Sequence, residues 1–251
     1  MSIFISIIIA TNDSERYLRR CLDSIQAQKN KEIELIVVDN ISQDYTLKIL
    51  EDYQSIVDVL ISEKDFGIYD AWNKGLRRAT GKWILFMGSD DQLLPNVIKV
   101  YQNIKEKIEC FDYVAPVIEM VLPSGIVTKK FGKPFNWDEF KYNMNLAHVS
   151  ALHNSNFFKS HGLFDIDYKI CGDYELLLRK NKYLKVYFLN HITAQMQTGG
   201  ISQSNINALW EARRARKARI DEYGLKFELR HLVALTKFCM KLVMRKENAF
   251  K

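Results

Sequence analysis

Over the first half of the chain, short unbroken runs of apolar residues alternate with stretches in which apolar residues return every three or four positions. Ile3 to Ala10 is such a run, rich in β-branched side chains, and reads as a strand buried on both faces. Glu15 to Ala27 sets Leu18, Cys21, Leu22 and Ile25 at helical spacing, with Ser14 placed to cap the helix. Ile33 to Val38 is a second buried strand, ending at Asp39. Thr46 to Tyr53 carries Leu47, Ile49 and Leu50 on a helix, and Val57 to Ile61 makes a short strand. A helix over Asp70 to Ala79, stopped by Gly81, leads to the strand Trp83 to Met87, which breaks off at Gly88-Ser89-Asp90-Asp91. Asn96 to Lys107 then reads as a helix and Tyr113 to Val121 as a strand, with Pro123-Ser124-Gly125 turning the chain back through Ile126-Val127-Thr128. The alternation predicts an α/β domain with a mostly parallel central sheet flanked by helices.

Further along, the pattern is less regular. Pro134 to Met144 reads as a loop or short helix over the sheet, and Asn154 to His161 as a helix closed by Gly162. Asp173 to Lys180 has an apolar stripe of Tyr174, Leu177 and Leu178, with Arg179-Lys180 at the end where a helix dipole favours cations. A strand around Lys185 to Leu189 precedes the turn Thr198-Gly199-Gly200, and from Ile206 the chain reads as helical nearly to its end.

The composition, 47% hydrophobic and 26% charged over 251 residues, is that of an ordinary globular protein with a sizeable core. A net charge of +6 points to an anionic partner: nucleic acid, a membrane surface or a phosphorylated substrate. Cys21, Cys110, Cys171 and Cys239 are scattered without CxxC or zinc spacing, as expected of reduced thiols in a cytoplasmic protein. The apolar N-terminus lacks a basic leader and a cleavage site, and is read as the first strand.

Charge placement carries the chemistry. Asp90 and Asp91 are adjacent carboxylates at the end of a buried strand, where open α/β sheets bind ligands. Their mutual repulsion is relieved by a divalent cation, although either residue equally suits the cap of a helix starting near Leu93. Asp39 ends another strand, and Asp173 opens a helix behind Gly172, where an N-cap role and a functional role are both open.

The segments Ile61-Ser62-Glu63 through Gly67-Ile68-Tyr69-Asp70-Ala71, Asn73-Lys74-Gly75, Ala79-Thr80-Gly81, Ser89-Asp90-Asp91, Gly162-Leu163-Phe164-Asp165, Lys169 to Arg179 and Gly199-Gly200-Ile201-Ser202 occur in a recognisable order. From Ile5 to about Ser202 the chain resembles the family 2 glycosyltransferases with the GT-A fold, the nucleotide-sugar enzymes of bacterial surface-polysaccharide assembly. The resemblance implies a GT-A catalytic domain over 1–205, with a nucleotide-binding half (1–91) and an acceptor-side half (92–205), followed by a helical extension over 206–251. It implies that Asp39 contacts the base or ribose, that Asp91 is the metal ligand of a DXD-type motif with Asp90 facing the sugar nucleotide, and that Asp173 is the general base. Thr11, Gly67 and Asn73 fall on its donor-binding motifs. Mn2+ or Mg2+ suits such oxygen-only ligands, and one base without a separate nucleophile implies inversion at the anomeric carbon.

The chain also departs from the family pattern. Ala10-Thr11-Asn12-Asp13 replaces the usual Pro-Thr-Tyr/Phe-Asn, keeping Thr11; the loop Asn40 to Thr46 has no glycine; Trp72 stands where many relatives carry Arg; and Ser89 replaces Ala. His148 is a candidate acceptor or phosphate contact, against the reading of a buried His satisfied by backbone. His191 is a candidate for completing a metal shell, and Gly199-Gly200-Ile201-Ser202 for a mobile flap near the diphosphate.

After Trp210 the composition shifts. Glu211 to Arg219 is strongly basic, and Leu225 to Met244 places Leu225, Leu229, Leu232, Val233, Thr236, Cys239 and Val243 near one face with Lys226, Arg230, Lys237, Lys241 and Arg245 on others. This suits an anionic membrane surface, or equally a helix packed on the catalytic domain or a second subunit. Nucleic acid is excluded as a partner because the basic residues lack interleaved aromatics on a recognisable module. The expected protein is an inverting, metal-dependent glycosyltransferase moving a sugar from a nucleotide-diphosphate donor, UDP-linked by preference, to a saccharide or lipid-linked saccharide of a surface glycan. It is expected in the cytoplasm, peripheral on the inner face of the cell membrane, and a homodimer is compatible. A sugar nucleotidyltransferase would open with a Gly-rich, basic loop that Ala10 to Glu15 lacks; a non-catalytic GT-A scaffold is the alternative.

Overall fold

Strand β1 (Ile5–Thr11) organises the sheet, because parallel strands pair along both of its edges. The protein is seen in a computed structural model that describes residues 2–200 and 205–249, with side chains up to residue 240. After β1 come α1 (Leu18–Gln26), β2 (Ile33–Asp39), α2 (Thr46–Asp52), β3 (Val59–Ser62), α3 (Ile68–Leu76) and β4 (Trp83–Gly88). The strands stand in the order β3-β2-β1-β4, all parallel, with Ile5 opposite Ile33 on one side and Trp83 on the other.

The acceptor-side half continues the same sheet with β5 (Gln92–Leu93), α4 (Val97–Asn103), β6 (Tyr113–Val121), β7 (Val127–Phe131), α5 (Trp137–Phe140), β8 (Leu152–Asn154), α6 (Ser155–His161), α7 (Gly172–Leu178) and β9 (Val186–Gln197). Among the described residues the nine-stranded sheet runs β3-β2-β1-β4-β8-β6-β9-β5, with β7 paired to β6. Strand β8 is antiparallel to both β4 and β6, while β6 and β9 are parallel, so β8 splices one parallel block to the other. Two helices follow, α8 (Asn207–Arg219) and α9 (Leu225–Ala249).

The continuous apolar runs have a simple cause. Ile5, Ile7 and Ile9 on β1 join Leu35, Val37, Trp83, Leu85 and Met87 beneath Leu18, Leu22 and Ile25 of α1, Leu50 of α2 and Tyr101 of α4. Ile8, Ile36, Val38, Ile84 and Phe86 point the other way, onto Tyr69 and Trp72 of α3, Phe158 of α6 and Leu177 of α7. With helices on both faces, successive residues of each strand are all buried.

One polar device interrupts this core. The Oε1 of Glu34, a residue only 8% exposed, accepts from Ser6 Oγ at 2.5 Å, Thr80 N at 2.6 Å, Thr80 Oγ1 at 2.9 Å and Gly81 N at 3.1 Å. This fixes the approach to β4. Helix α3 already ends at Leu76, so Gly81 is not its stop. A Cβ on Gly81 would lie 2.6 Å from the Ser6 backbone nitrogen, and only glycine allows that approach.

Several boundaries differ from the sequence expectation. Ser14 does not cap α1 with its side chain; its carbonyl accepts from Tyr17 and Leu18, and its Oγ lies 2.8 Å from Ser89 Oγ. The segment after Asp91 is strand β5, and α4 begins only at Val97, behind Asn96, so the cap reading of Asp90 and Asp91 falls away. Likewise Cys171 occupies the N-cap position of α7, leaving Asp173 inside the first turn.

Gly81→Ala is expected to lower the unfolding free energy by about 3 kcal/mol, since the clash is with backbone rather than a flexible side chain. Urea unfolding with an unchanged m-value checks this; a midpoint equal to wild type removes the close-approach argument.

Candidate active site

The carboxyl ends of β2, β1 and β4 meet at one place, with Thr11 opposite Asp39 and Ala10 opposite Gly88. The chain leaves β1 toward β2 and β3 on one side and returns to β4 on the other, which makes this the switch point of the sheet, where a crevice opens. Thr11 is 4% exposed, and its Oγ1 is buried without a hydrogen-bond partner among the described residues. A hydroxyl in that condition has capacity left for a water or a ligand.

Asp91 is 3% exposed, and its Oδ2 accepts the Gly88 amide at 2.7 Å while its own amide donates to the Gly88 carbonyl. Burial pushes the Asp91 carboxyl well above the usual carboxylate range and neighbouring Asp90 adds to it; the Gly88 amide and Arg20 oppose them. A Cβ on Gly88 would lie 2.8 Å from Asp90 Oδ1 and 3.1 Å from Asp91 Oδ2, so its absence lets both carboxylates fold over the strand end. Arg20 on α1 steadies this turn by donating to the Asp90 carbonyl at 3.0 Å, and to the Gln197 amide oxygen, turned toward it, at 2.6 Å.

Hard oxygen donors of this kind fit magnesium or manganese. Among the described residues no group of three or more His, Cys, Asp or Glu is able to hold an ion. Asp90 and Asp91 alone would supply only part of such a shell, the remainder coming from phosphate oxygens and water. His191 does not join it: it is exposed, in the irregular stretch of β9 between Leu189 and Ile192.

The other donor-side residues have work within the protein. Asp39 is fully buried; Ser42 Oγ and Ser42 N donate to it at 2.5 and 3.1 Å, and Ser62 Oγ at 2.9 Å. Its carboxylate holds the loop after β2, where Ile41 takes a left-handed φ of 51° in a loop that lacks glycine. That conformation costs a β-branched residue roughly 1–2 kcal/mol. Two of these donors share Oδ2 and one meets Oδ1, so the carboxylate keeps one acceptor position unfilled among the described residues. Asn73, 3% exposed, exchanges two hydrogen bonds with the Phe164 backbone at 2.9 and 3.0 Å, so its amide clamps the Gly162–Asp165 turn. Gly67 opens α3 with φ 115°, its amide held by Asp65 Oδ1. Lys169 Nζ ties the preceding Phe66 carbonyl to that of Ile166.

Asp173 stands half-buried at the start of α7, its Oδ1 3.2 Å from the Tyr69 hydroxyl, which donates to the Ile170 carbonyl at 2.8 Å. The segment leading to it is fixed by Glu211 of α8, whose carboxylate accepts the amides of Lys169, Ile170 and Cys171 at 2.8 to 2.9 Å. Fully buried Glu175 is gripped by Arg179 at 2.6 Å and by Arg219 of α8 at 2.6 Å. Sequence reasoning missed Glu211, although a lone acid in a basic run is the signal for it. Other members of that run also have partners within the protein: Arg213 pairs with Glu228, Arg214 lies 3.9 Å from the Tyr168 ring centre, and Arg216 donates to the Tyr142 carbonyl. These arginines bind α8 to the rest of the protein.

His148 stacks on Phe86 at 5.5 Å and lies against Trp72 at 4.8 Å. Neither ring nitrogen has a hydrogen-bond partner among the described residues, so backbone satisfaction does not explain it. Burial draws its pKa down against the pull of the Asp173 carboxylate, leaving a neutral ring on the same cavity as Asp173. Gly199 and Gly200 follow β9, and the remainder of the expected flap, Ile201 and Ser202, lies outside the described residues.

Comparison with known proteins bears on the family and the fold. A sequence model described as glycosyl transferase family 2 matches residues 6–162. The chain is 28% identical over 217 residues to the PGL/p-HBAD biosynthesis glycosyltransferase of Mycobacterium bovis, with 80% of each chain covered. It is also 28% identical over 210 residues to a glycosyltransferase of Rickettsia typhi, covering 80% of this chain and 66% of that one. Among solved structures, S. aureus TarS in complex with UDP-GlcNAc superposes with a TM-score of 0.69 at 20% identity, covering 91% of this chain and 69% of that one. A mannosyltransferase of Pyrobaculum calidifontis in complex with GDP-Man and Mn2+ gives 0.63 at 15% identity, covering 90% and 67%. The fold is GT-A.

An acid whose folded pKa is raised binds its proton more tightly in the native state, so its contribution to stability falls as pH rises from the unfolded value through the folded one. With divalent ions chelated, Asp91→Asn is therefore expected to be more stable than wild type at pH 8, by a margin that shrinks toward pH 5. Urea unfolding at both values checks this; a margin that stays constant or grows toward pH 5 contradicts the desolvated-carboxylate account.

Proposed function

The chain belongs to glycosyl transferase family 2, and on that footing we propose that it is an inverting, cation-dependent enzyme that moves a sugar from a nucleotide-diphosphate donor to a hydroxyl of a surface-glycan acceptor. The observation that carries this reading is the pairing of Asp90 with desolvated Asp91 at the switch point of the sheet, beside the partnerless hydroxyl of Thr11. Asp90 and Asp91 would hold a divalent cation against the donor diphosphate. When bound, that ion supplies charge neutralisation for the departing nucleotide diphosphate.

Asp173 takes the proton from the acceptor hydroxyl as the oxygen attacks the anomeric carbon. Neutral His148 offers it neither a competing positive charge nor a proton at neutral pH. Glu211 and Tyr69 hold the segment before the base in place, which counts because a base acts only within hydrogen-bond reach. With one base and no second nucleophile in the proposed roles, the displacement is single and the configuration inverts. Support for a nucleotide-sugar donor comes from the UDP-GlcNAc and GDP-Man complexes of the structural relatives, and for a cation from the Mn2+ of the second.

Helix α9 exposes Leu225, Leu232 and Met240 alongside Lys226 and Lys237, a composition suited to an anionic membrane surface. No described helix is long and apolar enough to cross a membrane. This favours a glycan acceptor presented at a bilayer.

Calorimetric titration of UDP, GDP and CDP is expected to show binding of one nucleotide, UDP by preference, that requires manganese. Binding of none would leave the scaffold reading in possession. Asp173→Asn is expected to keep nucleotide affinity while lowering transfer by roughly 10²–10⁴-fold. Equal loss of nucleotide binding would assign Asp173 to the donor site or to the fold.

A further inference from the structure

The tip of the β6–β7 hairpin holds apolar side chains out in solvent. Leu122, Pro123, Ile126 and Val127 are all exposed there, Ile126 by 62%. The turn itself does not require them. Pro123-Ser124-Gly125 makes the bend, with Gly125 at φ 83°, the Leu122 amide donating to the Ile126 carbonyl at 2.9 Å and the Gly125 amide to the Leu122 carbonyl at 2.8 Å. Nor is another strand the partner that this edge suits. Among the described residues β7 pairs with β6 alone, and its register slips where Val127 faces Val121 and Lys129 faces Met120, a bulge beside the tip. A bulge and edge lysines both discourage edge-to-edge pairing.

Charge behind the tip has one sign. No acid occurs from Leu122 to Lys133. Lys133 is taken by Glu139, whereas exposed Lys129 and Lys130 meet no carboxylate within 4 Å among the described residues, and Lys129 leans over the Phe131 ring at 5.7 Å. At a strand rise of about 3.3 Å per residue, these two lysines stand roughly 10 Å behind Ile126. Interfacial segments bury their apolar face about 5–10 Å into a bilayer, which brings lysines at that spacing to headgroup level. The same composition recurs on α9. The cavity beside Asp173, about 810 Å³, is walled by Met120 and Lys129 of the hairpin and by Leu229, Val233 and Lys237 of α9, so the two elements border one opening. On α9, Leu225, Leu229, Leu232 and Met240 are exposed, and no acid follows Glu228, itself held by Arg213, as far as Met244.

We propose that the hairpin tip is a membrane contact, which together with α9 seats the rim of this cavity on an anionic bilayer. Leu122, Ile126 and Val127 enter the boundary between headgroups and acyl chains, and Lys129 and Lys130 meet lipid phosphates. A neutral surface would leave the lysines without a counter-charge, and a soluble polyanion would leave the apolar tip wet. Two supports, one hairpin and one helix, fix how the protein sits, where α9 alone would let it roll about the helix axis. The seating of the cavity rim rests on the membrane reading of α9; the hairpin contact does not, and neither rests on the transfer chemistry.

The test is co-sedimentation of the full chain with vesicles of phosphatidylglycerol mixed into phosphatidylcholine, with pure phosphatidylcholine as control and the urea midpoint of each variant as proof of folding. Wild type is expected to bind the anionic vesicles at least roughly tenfold more tightly than the neutral ones, by a margin that shrinks as salt is added. Ile126→Asp and Lys130→Glu are each expected to weaken that binding by roughly fivefold or more, and Leu232→Asp on α9 to do the same. Unchanged binding in Ile126→Asp overturns the hairpin contact, and if Leu232→Asp alone weakens it, the reading of α9 survives by itself. Loss in Ile126→Asp without loss in Leu232→Asp keeps the hairpin contact and overturns the seating on α9. Equal binding to neutral vesicles, or none to either, overturns both. A fall in mass by light scattering in Ile126→Asp, with vesicle binding unchanged, gives the tip to a second copy of the chain and likewise overturns the proposal.

Discussion

A carboxylate kept out of water beside a second carboxylate is the constraint on which the donor side of this protein depends. Asp91 is buried at the end of the central parallel strands, and what surrounds it limits the cost of that placement. Gly88 brings an amide within 2.7 Å, and Arg20 reaches across from α1 to take the Asp90 carbonyl. The remaining cost is met by a proton, as the raised pKa of Asp91 records, or would be met by a cation if one binds as proposed.

The opposite side is built on carboxylates that are fully satisfied. Glu175 and Glu211 accept from arginine side chains and from backbone amides, and both connections run to α8. Helix α8 is therefore part of the frame that positions Asp173, although by composition it is a strongly basic run. Contrast decides the roles: buried acids with complete partner sets hold structure, whereas Asp91, with an incomplete set, has capacity left for a ligand.

Strands buried on both faces wrote themselves into the sequence as unbroken apolar runs, so the first parallel block was legible from Ile3 to Met87. The acidic positions were legible for a related reason, since charge at the end of such a run is conspicuous. Strands β5 and β8 were not, because two or three residues are too few for any periodicity to register. The tasks of Asp39 and Asn73 were hidden as well: Ser62 lies 23 residues from Asp39 and Phe164 lies 91 from Asn73. Composition likewise shows how many arginines α8 carries but not whether each meets water or a partner. The cavity beside Asp173 is assembled from segments as distant as Ile118 and Lys237, and no local pattern announces it.

Strand β9 connects the cavity to the turn at Asp90. Met196 lines the cavity beside Asp173, and the next residue, Gln197, meets Arg20, which holds the carbonyl of Asp90. Neighbouring residues of a strand face opposite ways, so this one strand touches the cavity wall with one side chain and the turn carrying Asp90 with the next, through Arg20. A substitution that shifts β9 would therefore disturb both places at once.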